Sequence, residues 1–136
     1  MKILEVCISK GFGGLELYVL KTSTYLHDNN TEYCVLTRKN SFLNKKLADA
    51  NIEVKSFPRV FHFLPLVSAY KLARFIDSND IDVLHLHWGN DLFLTVLAKV
   101  LSRRKIKLIY TRQMALTREK KDFYHRFYTE MLIFTW

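Results

Sequence analysis

The chain has 136 residues, of which 49% are hydrophobic and 25% charged, with a formal net charge of +8. This length fits one domain and the apolar fraction suffices for a buried core, which excludes a disordered chain. Neither a signal peptide nor a run of about 20 apolar residues is visible, so the sequence predicts a soluble, cytoplasmic domain.

Apolar runs of strand length alternate along the chain with segments of helical periodicity. Strands are predicted at Lys2–Ser9, Thr31–Thr37, Glu53–Phe57, Asp82–Trp88 and Ile106–Arg112. Helices are predicted at Leu15–His27, Phe42–Ala50, Pro65 to about Ser78, Asp91–Arg104, and from Ala115 or Thr117 onward. Five strands that are each followed by a helix indicate repeated βαβ units. The predicted fold class is therefore α/β, a Rossmann-like doubly wound parallel sheet.

Several single residues carry local expectations. Ser41 is predicted to be the N-cap of the second helix, and Asn90 or Asp91 to cap the fourth. Cys7 and Cys34 lie in strand-like runs without metal-type spacing, so buried free thiols are expected in a reducing compartment.

A glycine cluster, Gly11-Phe12-Gly13-Gly14-Leu15-Glu16, follows the first strand. It is not the dinucleotide fingerprint, because Glu16 occupies the position of the third glycine, and it lacks the Gly-Lys-Ser/Thr of a Walker A loop. Glycines here would let the backbone approach a ligand, with amides at the helix N-terminus directed at an anion. A tight turn without a ligand explains the cluster equally well.

Polar residues also follow strands four and five. His85 and His87 lie on one face of a strand, and no third metal ligand is evident beside them, which argues against a zinc site. His87, nearer the sheet edge, is either a cleft residue or a hydrogen-bonded core histidine. Arg112 or Gln113 at the end of strand five could reach a hydroxyl or phosphate, or could be solvated.

The positive charge is concentrated at the end of the chain. Ten Lys/Arg and three Asp/Glu occur from Lys99 onward, against eleven and ten before it. The predicted last helix combines an aromatic stripe with Lys120, Lys121 and Arg126, so it could lie on anionic lipid or pack on the domain. The apolar ending at Trp136 is expected in a protein whose next element is missing.

Three segments together resemble the amino-terminal domain of the family-four GT-B glycosyltransferases. They are Gly13-Gly14-Leu15-Glu16, Asp82-Val83-Leu84-His85-Leu86-His87, and a fifth strand ending in Thr111-Arg112-Gln113. The resemblance covers essentially the whole chain. It implies a metal-independent, retaining enzyme without a cofactor, in which residues 1–136 bind the acceptor and an absent carboxyl-terminal domain binds a nucleotide sugar. The fragment alone is then expected to be inactive.

The resemblance also implies roles for individual residues. Gly11, Gly13, Gly14 and Glu16 would form the loop at the donor's diphosphate and sugar. Trp88, Asn90 and Arg112 would contact the acceptor, and His87 and Gln113 would be catalytic. Many family members have His where this chain has Gln113, and an amide cannot shuttle a proton. Glycan or lipid-linked acceptors of bacterial surface polysaccharide synthesis are implied, with possible contact to an anionic membrane through Lys120, Lys121 and Arg126.

The sequence leaves other function classes open. A flavodoxin-like binding module is one, although the acidic cluster of a phosphoacceptor is missing after strand one. A nucleic-acid-binding domain is suggested only by charge and aromatic content, and no recognised motif supports it. An epimerase-like nucleotide enzyme is disfavoured by the glycine spacing.

Overall fold

The computed structural model describes residues 1–57 and 65–112. Within them, five strands alternate with four α-helices. The strands are β1 (Ile3–Cys7), β2 (Tyr33–Arg38), β3 (Val54–Phe57), β4 (Val83–Leu86) and β5 (Lys107–Tyr110). The helices are α1 (Gly14–Asp28), α2 (Phe42–Asp49), α3 (Pro65–Ser78) and α4 (Leu92–Leu101), and a 3₁₀ turn at Gly89–Asp91 precedes α4.

All strand pairs are parallel, and the order across the sheet is β3-β2-β1-β4-β5. The chain builds outward from β1 to β3, and α3 then carries it back to the other side of β1. The strand order therefore reverses between β1 and β4. In open parallel sheets a crevice forms at such a reversal, beyond the carboxyl ends of the strands. The fold class predicted from the sequence is confirmed.

Apolar side chains cover both faces of the sheet. One face packs against α3 and α4, where Leu4, Leu84 and Leu108 join Leu72 and Ile76 in the larger core cluster. The opposite face packs against α1 and α2. There the smaller cluster contains Cys7, Val19, Val35, Leu43 and Leu47. Burial on both faces explains why the strands are continuously apolar rather than alternating.

Glu5 interrupts this pattern. It alternates with Leu4 and Val6, so it lies on the α1 side of β1, where it is almost fully buried. The parallel register places it opposite His85 of β4.

The helix ends have identifiable caps. Ser41 Oγ accepts a hydrogen bond from Asn44 N at 3.1 Å, which confirms the predicted N-cap of α2. Asn30, Asn51 and Asp80, which follow α1, α2 and α3, adopt positive φ angles of 51°, 57° and 56°. Asn and Asp tolerate this left-handed conformation better than most residues, so they end helices here without glycine.

The expectation that Asn90 or Asp91 caps α4 is confirmed for the position of Asp91 but not for its side chain. Asp91 occupies the N-cap position, but its side chain makes no capping bond. Its Oδ2 instead accepts from Ile8 N at 2.9 Å. The carboxylate therefore joins the start of α4 to the end of β1.

Cys7 and Cys34 are buried and unpaired, as expected. Burial raises the pKa of each thiol to about 11, which keeps both protonated. In residues 1–57 and 65–112, no helix combines the length and the apolar character that a membrane crossing requires. The predicted basic last helix, and residues 58–64, lie outside the described residues.

Candidate functional site

Two cavities lie side by side at the carboxyl edge of the sheet. The first, called here the glycine-turn cavity, has a volume of about 630 Å³ and is lined by Gly13, Gly14, His87, Trp88, Asn90 and Arg112 among others. The second, called here the cation cavity, has a volume of about 660 Å³ and is lined by Lys10, Gly11, Arg38, Asp91 and Phe93 among others. Glu16, Trp88 and Asn90 line both. They form the boundary between the two cavities.

The structure thus brings together three segments that are far apart in sequence. The β1–α1 turn, the segment after β4 and the end of β5 meet around the glycine-turn cavity. Parallel strands place their carboxyl ends at one edge, which is the physical reason for this convergence. Gly11 faces the neighbouring cation cavity instead. Nothing in this placement tests the individual roles that the resemblance implies, and they stay predictions.

Glu16 organises the β1–α1 turn from inside. Its carboxylate is buried and accepts hydrogen bonds from Ser9 Oγ and, at 2.7 Å, from Gly13 N. The second bond satisfies an amide just before the first turn of α1, as in half of a capping box. Glu16 therefore fixes the conformation of the turn with both of its oxygens.

The glycines of this turn provide space rather than an unusual backbone conformation. None of the described glycines has a positive φ, and Gly13 is extended at φ −154°. A Cβ built on Gly14 would meet nothing within 4 Å. Gly14 is also the first residue of α1, where unpaired helix amides favour an anion. The turn is therefore open and suited to a phosphate.

Gly89 is the one described glycine where a side chain would collide. A Cβ there would lie 2.9 Å from Tyr110 Oη. Both residues line the glycine-turn cavity, so this close approach fixes the shape of its wall. The requirement is not visible in the sequence, because Tyr110 is twenty-one positions away.

A buried chain of hydrogen bonds runs beneath the site. Glu5 accepts from His85 Nδ1 at 3.0 Å and from His87 Nε2, and Thr111 Oγ1 lies 2.7 Å from His85 Nε2. The His87 imidazole is 0% exposed, and its Nδ1 has no partner among the described residues. A catalytic contact by this imidazole would require that nitrogen to become accessible.

The titration of this network follows from its burial. Burial alone would raise the pKa of Glu5, but hydrogen bonds from His85 and His87 outweigh it and hold the pKa below 4.5. Burial lowers the pKa of His87 below 6.5, against the opposing effect of Glu5. A neutral imidazole therefore donates Nε2–H to a charged carboxylate.

Glu5, His85 and His87 are also a set of residues that could hold a metal ion. No third ligand beside the histidines is evident in the sequence, and Glu5 is that third group. The signal that could have found it is a carboxylate inside an apolar strand, since buried charges need partners. The carboxylate oxygens already accept direct hydrogen bonds from both rings. Metal independence stays a prediction.

Asp91 is a further buried carboxyl group near the site, in addition to Glu5 and Glu16. Burial raises its pKa to about 7, against the opposing hydrogen bond from Ile8 N. The group is thus partly protonated near neutral pH. Of the other predicted site residues, Gln113, Lys120, Lys121 and Arg126 lie outside the described residues.

Comparison with known proteins identifies the family. The profile of the family described as Glycosyl transferase 4-like matches residues 5–134. The chain belongs to this family. The match confirms the resemblance to the amino-terminal domain of GT-B glycosyltransferases. No curated protein matches the chain.

Several solved glycosyltransferase structures have a similar fold. HepE from Anabaena, crystallised with UDP-glucose, is 21% identical with a TM-score of 0.65, over 81% of this chain and 28% of that one. A glycosyltransferase from Rickettsia africae is 20% identical with a TM-score of 0.68, over 80% and 28%. MurG from Acinetobacter baumannii is 15% identical with a TM-score of 0.70, over 96% and 39%. The chain therefore spans less than half the length of each of these proteins.

Proposed function

We propose that this chain is the acceptor-side half of a glycosyltransferase that moves a sugar from a nucleotide sugar to a glycan or lipid-linked acceptor with retention of configuration. The observation that carries the proposal is the glycine-turn cavity, where Gly13 and Gly14 face Trp88, Asn90 and Arg112 at the point of strand reversal. Membership of the Glycosyl transferase 4-like family supports the reaction class. A nucleotide-sugar lobe would complete the cleft.

The chemistry expected of this half is positioning and electrostatic stabilisation. Open amides at the start of α1 would face the donor's diphosphate, and Gly14 leaves room for its approach. Trp88 and Asn90 would orient the acceptor, and Arg112 would bind a hydroxyl or phosphate oxygen. No protein nucleophile is required in such a mechanism. Retention and the acceptor class rest on the family resemblance.

The donor class has one further support. HepE, a structural neighbour at 21% identity, was crystallised with UDP-glucose. UDP-glucose is therefore the first donor to test. Bacterial surface polysaccharide or lipopolysaccharide synthesis is the proposed setting, with the protein in the cytoplasm or on the inner face of the membrane.

The test is sugar transfer by the complete gene product. It is incubated with radiolabelled nucleotide sugars, UDP-glucose first, and with glycan and lipid-linked acceptors extracted from bacterial envelopes. Release of nucleoside diphosphate together with a labelled product is expected, and the anomeric coupling in the product's NMR spectrum reports retention or inversion. Residues 1–136 alone should transfer no sugar.

A matched pair of variants links activity to the cavity. Arg112→Gln is expected to raise KM for the acceptor about tenfold, because a charge-assisted hydrogen bond is lost. Arg103→Gln removes the same charge from an exposed residue outside both cavities and should leave KM for the acceptor unchanged. Absence of transfer with every donor would contradict the proposal. Donor binding without turnover would favour a non-catalytic binding module.

A further inference from the structure

We propose that the cation cavity selects an acceptor carrying an anionic group, a phosphate or a carboxylate on a sugar ring, and that Lys10 and Arg38 bind this group. The inference rests on the proposed glycosyltransferase function and names the substrate class of its acceptor side. Four features of the cavity support it. Its cations have no ion-pair partner among the described residues, its acidic side chains are hydrogen-bonded within the protein, it shares an aromatic wall with the glycine-turn cavity, and its size suits a sugar.

Two cations in this cavity have no counter-ion among the residues that the structure describes. Lys10 belongs to the β1–α1 turn and Arg38 ends β2, so they reach the cavity from neighbouring strands. Neither side chain makes a hydrogen bond or an ion pair within residues 1–57 and 65–112. By contrast, Arg104 at the opposite edge of the sheet is paired with both Asp80 and Asp82. Two unpaired cations on one concave surface favour an anionic ligand.

The acidic residues of the same cavity do not neutralise these cations. Glu16 is engaged with Ser9 and Gly13, and Asp91 with Ile8 N. Burial also raises the pKa of Asp91 to about 7, which reduces its negative charge near neutral pH. The guanidinium and ammonium groups are therefore the charges available to a ligand.

The wall shared with the glycine-turn cavity suits a sugar ring. Trp88 and Asn90 line both cavities. An aromatic face packs against the C–H groups of a pyranose, while an amide binds its hydroxyls. A ring at this wall would direct one hydroxyl toward Gly13 and Gly14, where the donor sugar is proposed, and its anionic substituent toward Lys10 and Arg38.

The size of the cation cavity agrees with such a ligand. Its volume of about 660 Å³ lies within the range of small-molecule sites, roughly 300–1,000 Å³. A monosaccharide with one charged substituent would occupy only part of it. The remainder can accept a second sugar or the start of a longer acceptor.

Binding can be measured by the fluorescence of Trp88. The chain has two tryptophans, so Trp136→Phe leaves Trp88 as the only one. In that background the chain is titrated with glucose 6-phosphate, glucuronate, glucose and inorganic phosphate at constant ionic strength. At least one sugar anion is expected to bind more tightly than glucose and than inorganic phosphate. Glucose 6-phosphate and glucuronate distinguish a phosphate from a carboxylate.

Variants of two arginines then test the assignment. Arg38→Gln is expected to weaken binding of the preferred sugar anion about tenfold, the usual effect of losing a charge-assisted contact. Arg74→Gln removes an equal charge from an exposed position on α3 and should leave binding within twofold. Thermal unfolding of each variant checks that the fold is intact.

Three results would overturn the inference. They are glucose binding as tightly as both sugar anions, inorganic phosphate binding as tightly as the preferred sugar anion, and equal affinities in Arg38→Gln and Arg74→Gln. No donor is present in these titrations. Anion binding by the cation cavity can therefore be observed even if the complete gene product transfers no sugar. Sugar transfer can likewise be observed even if Arg38 binds no anion.

Discussion

Buried charges decide the local chemistry at the scale of single residues. Glu5 is enclosed in the sheet, and its two hydrogen bonds to His85 and His87 compensate the cost of burial. In the described part of the chain, the Asp91 carboxyl group has one donor, Ile8 N, so desolvation dominates its titration. Two carboxyl groups in one small domain therefore have opposite pKa shifts, and each gives a separate pH dependence of stability.

Glu5→Gln is expected to lower the free energy of unfolding by about 2 kcal/mol at pH 8, because an amide has one oxygen where two imidazole N–H groups need acceptors. The pKa of Glu5 is held below 4.5 in the fold, so its contribution is complete above that pH and is lost as the pH falls. The difference in the free energy of unfolding between variant and wild type should therefore become smaller in acid. Urea unfolding at pH 4 and pH 8 measures it.

Glu53→Gln is the control for this substitution. Glu53 is exposed and, within the described ranges, forms an ion pair with Lys55 alone. Its substitution should therefore lower the free energy of unfolding little at either pH. Equal stability of Glu5→Gln and the wild type at pH 8 would show that the His–Glu–His network does not stabilise the fold.

Asp91→Asn should change the pH dependence of the free energy of unfolding in the opposite sense to Glu5→Gln. The pKa of Asp91 is raised to about 7 in the fold, from 3.8, so the wild type loses stability as the pH rises through about 7. Asn keeps an oxygen for Ile8 N but carries no charge. Between pH 5 and pH 8, the free energy of unfolding of the variant should increase by on the order of 1–3 kcal/mol relative to that of the wild type. Urea unfolding across this range measures this increase. A constant difference between the free energies of unfolding of variant and wild type from pH 5 to pH 8 would contradict the prediction.

The β1–α1 turn is the element on which the site depends. Its conformation is fixed from within by Glu16, and its glycines keep the cavity side open. Stability and function therefore place different demands on Gly14. The fold would accept a side chain there, whereas a ligand at the helix N-terminus would not.

Gly14→Ala tests this separation of stability and function. The fold should be stabilised by about 0.5 kcal/mol, since the added Cβ meets no atom and restricts the unfolded chain. Donor KM in the complete gene product should rise at least tenfold, because the methyl group occupies space proposed for the diphosphate. Thermal unfolding and steady-state kinetics measure the two effects.

Gly89→Ala is a useful comparison, because there the added Cβ would lie 2.9 Å from Tyr110 Oη and force that side chain to shift. If Gly14→Ala leaves donor KM unchanged, the glycine turn does not approach the donor.

At the scale of the whole molecule, the charge of the chain is asymmetric. The segment from Lys99 onward carries most of the net charge of +8, and its last residues fall outside the described ranges. Contact of this end with an anionic membrane stays a prediction. If correct, the protein would be held near lipid-linked acceptors.

Flotation with anionic liposomes tests the membrane prediction. Wild-type chain should float with the vesicles at low salt, and changing Lys120, Lys121 and Arg126 to Glu should abolish flotation, since each basic residue near the surface contributes about 1 kcal/mol. Changing three exposed cations elsewhere, Lys45, Lys71 and Arg74, to Glu is the matched control. Negligible flotation of the wild type, or an equal loss in both triple variants, would exclude a specific basic surface.

The sequence by itself determined the order of elements, the parallel sheet and the family, because hydrophobic periodicity and the Gly-Gly-x-Glu turn are local signals. It also identified most residues of the glycine-turn cavity, since parallel strands must end at one edge. Only the tertiary structure decided that Glu5 pairs with His85 and His87, that the side chain of Asp91 binds β1 instead of an amide of α4, and that Arg38 joins Lys10 in a second cavity. These contacts depend on strand order and register, which bring together residues up to eighty-three positions apart and which no local pattern encodes.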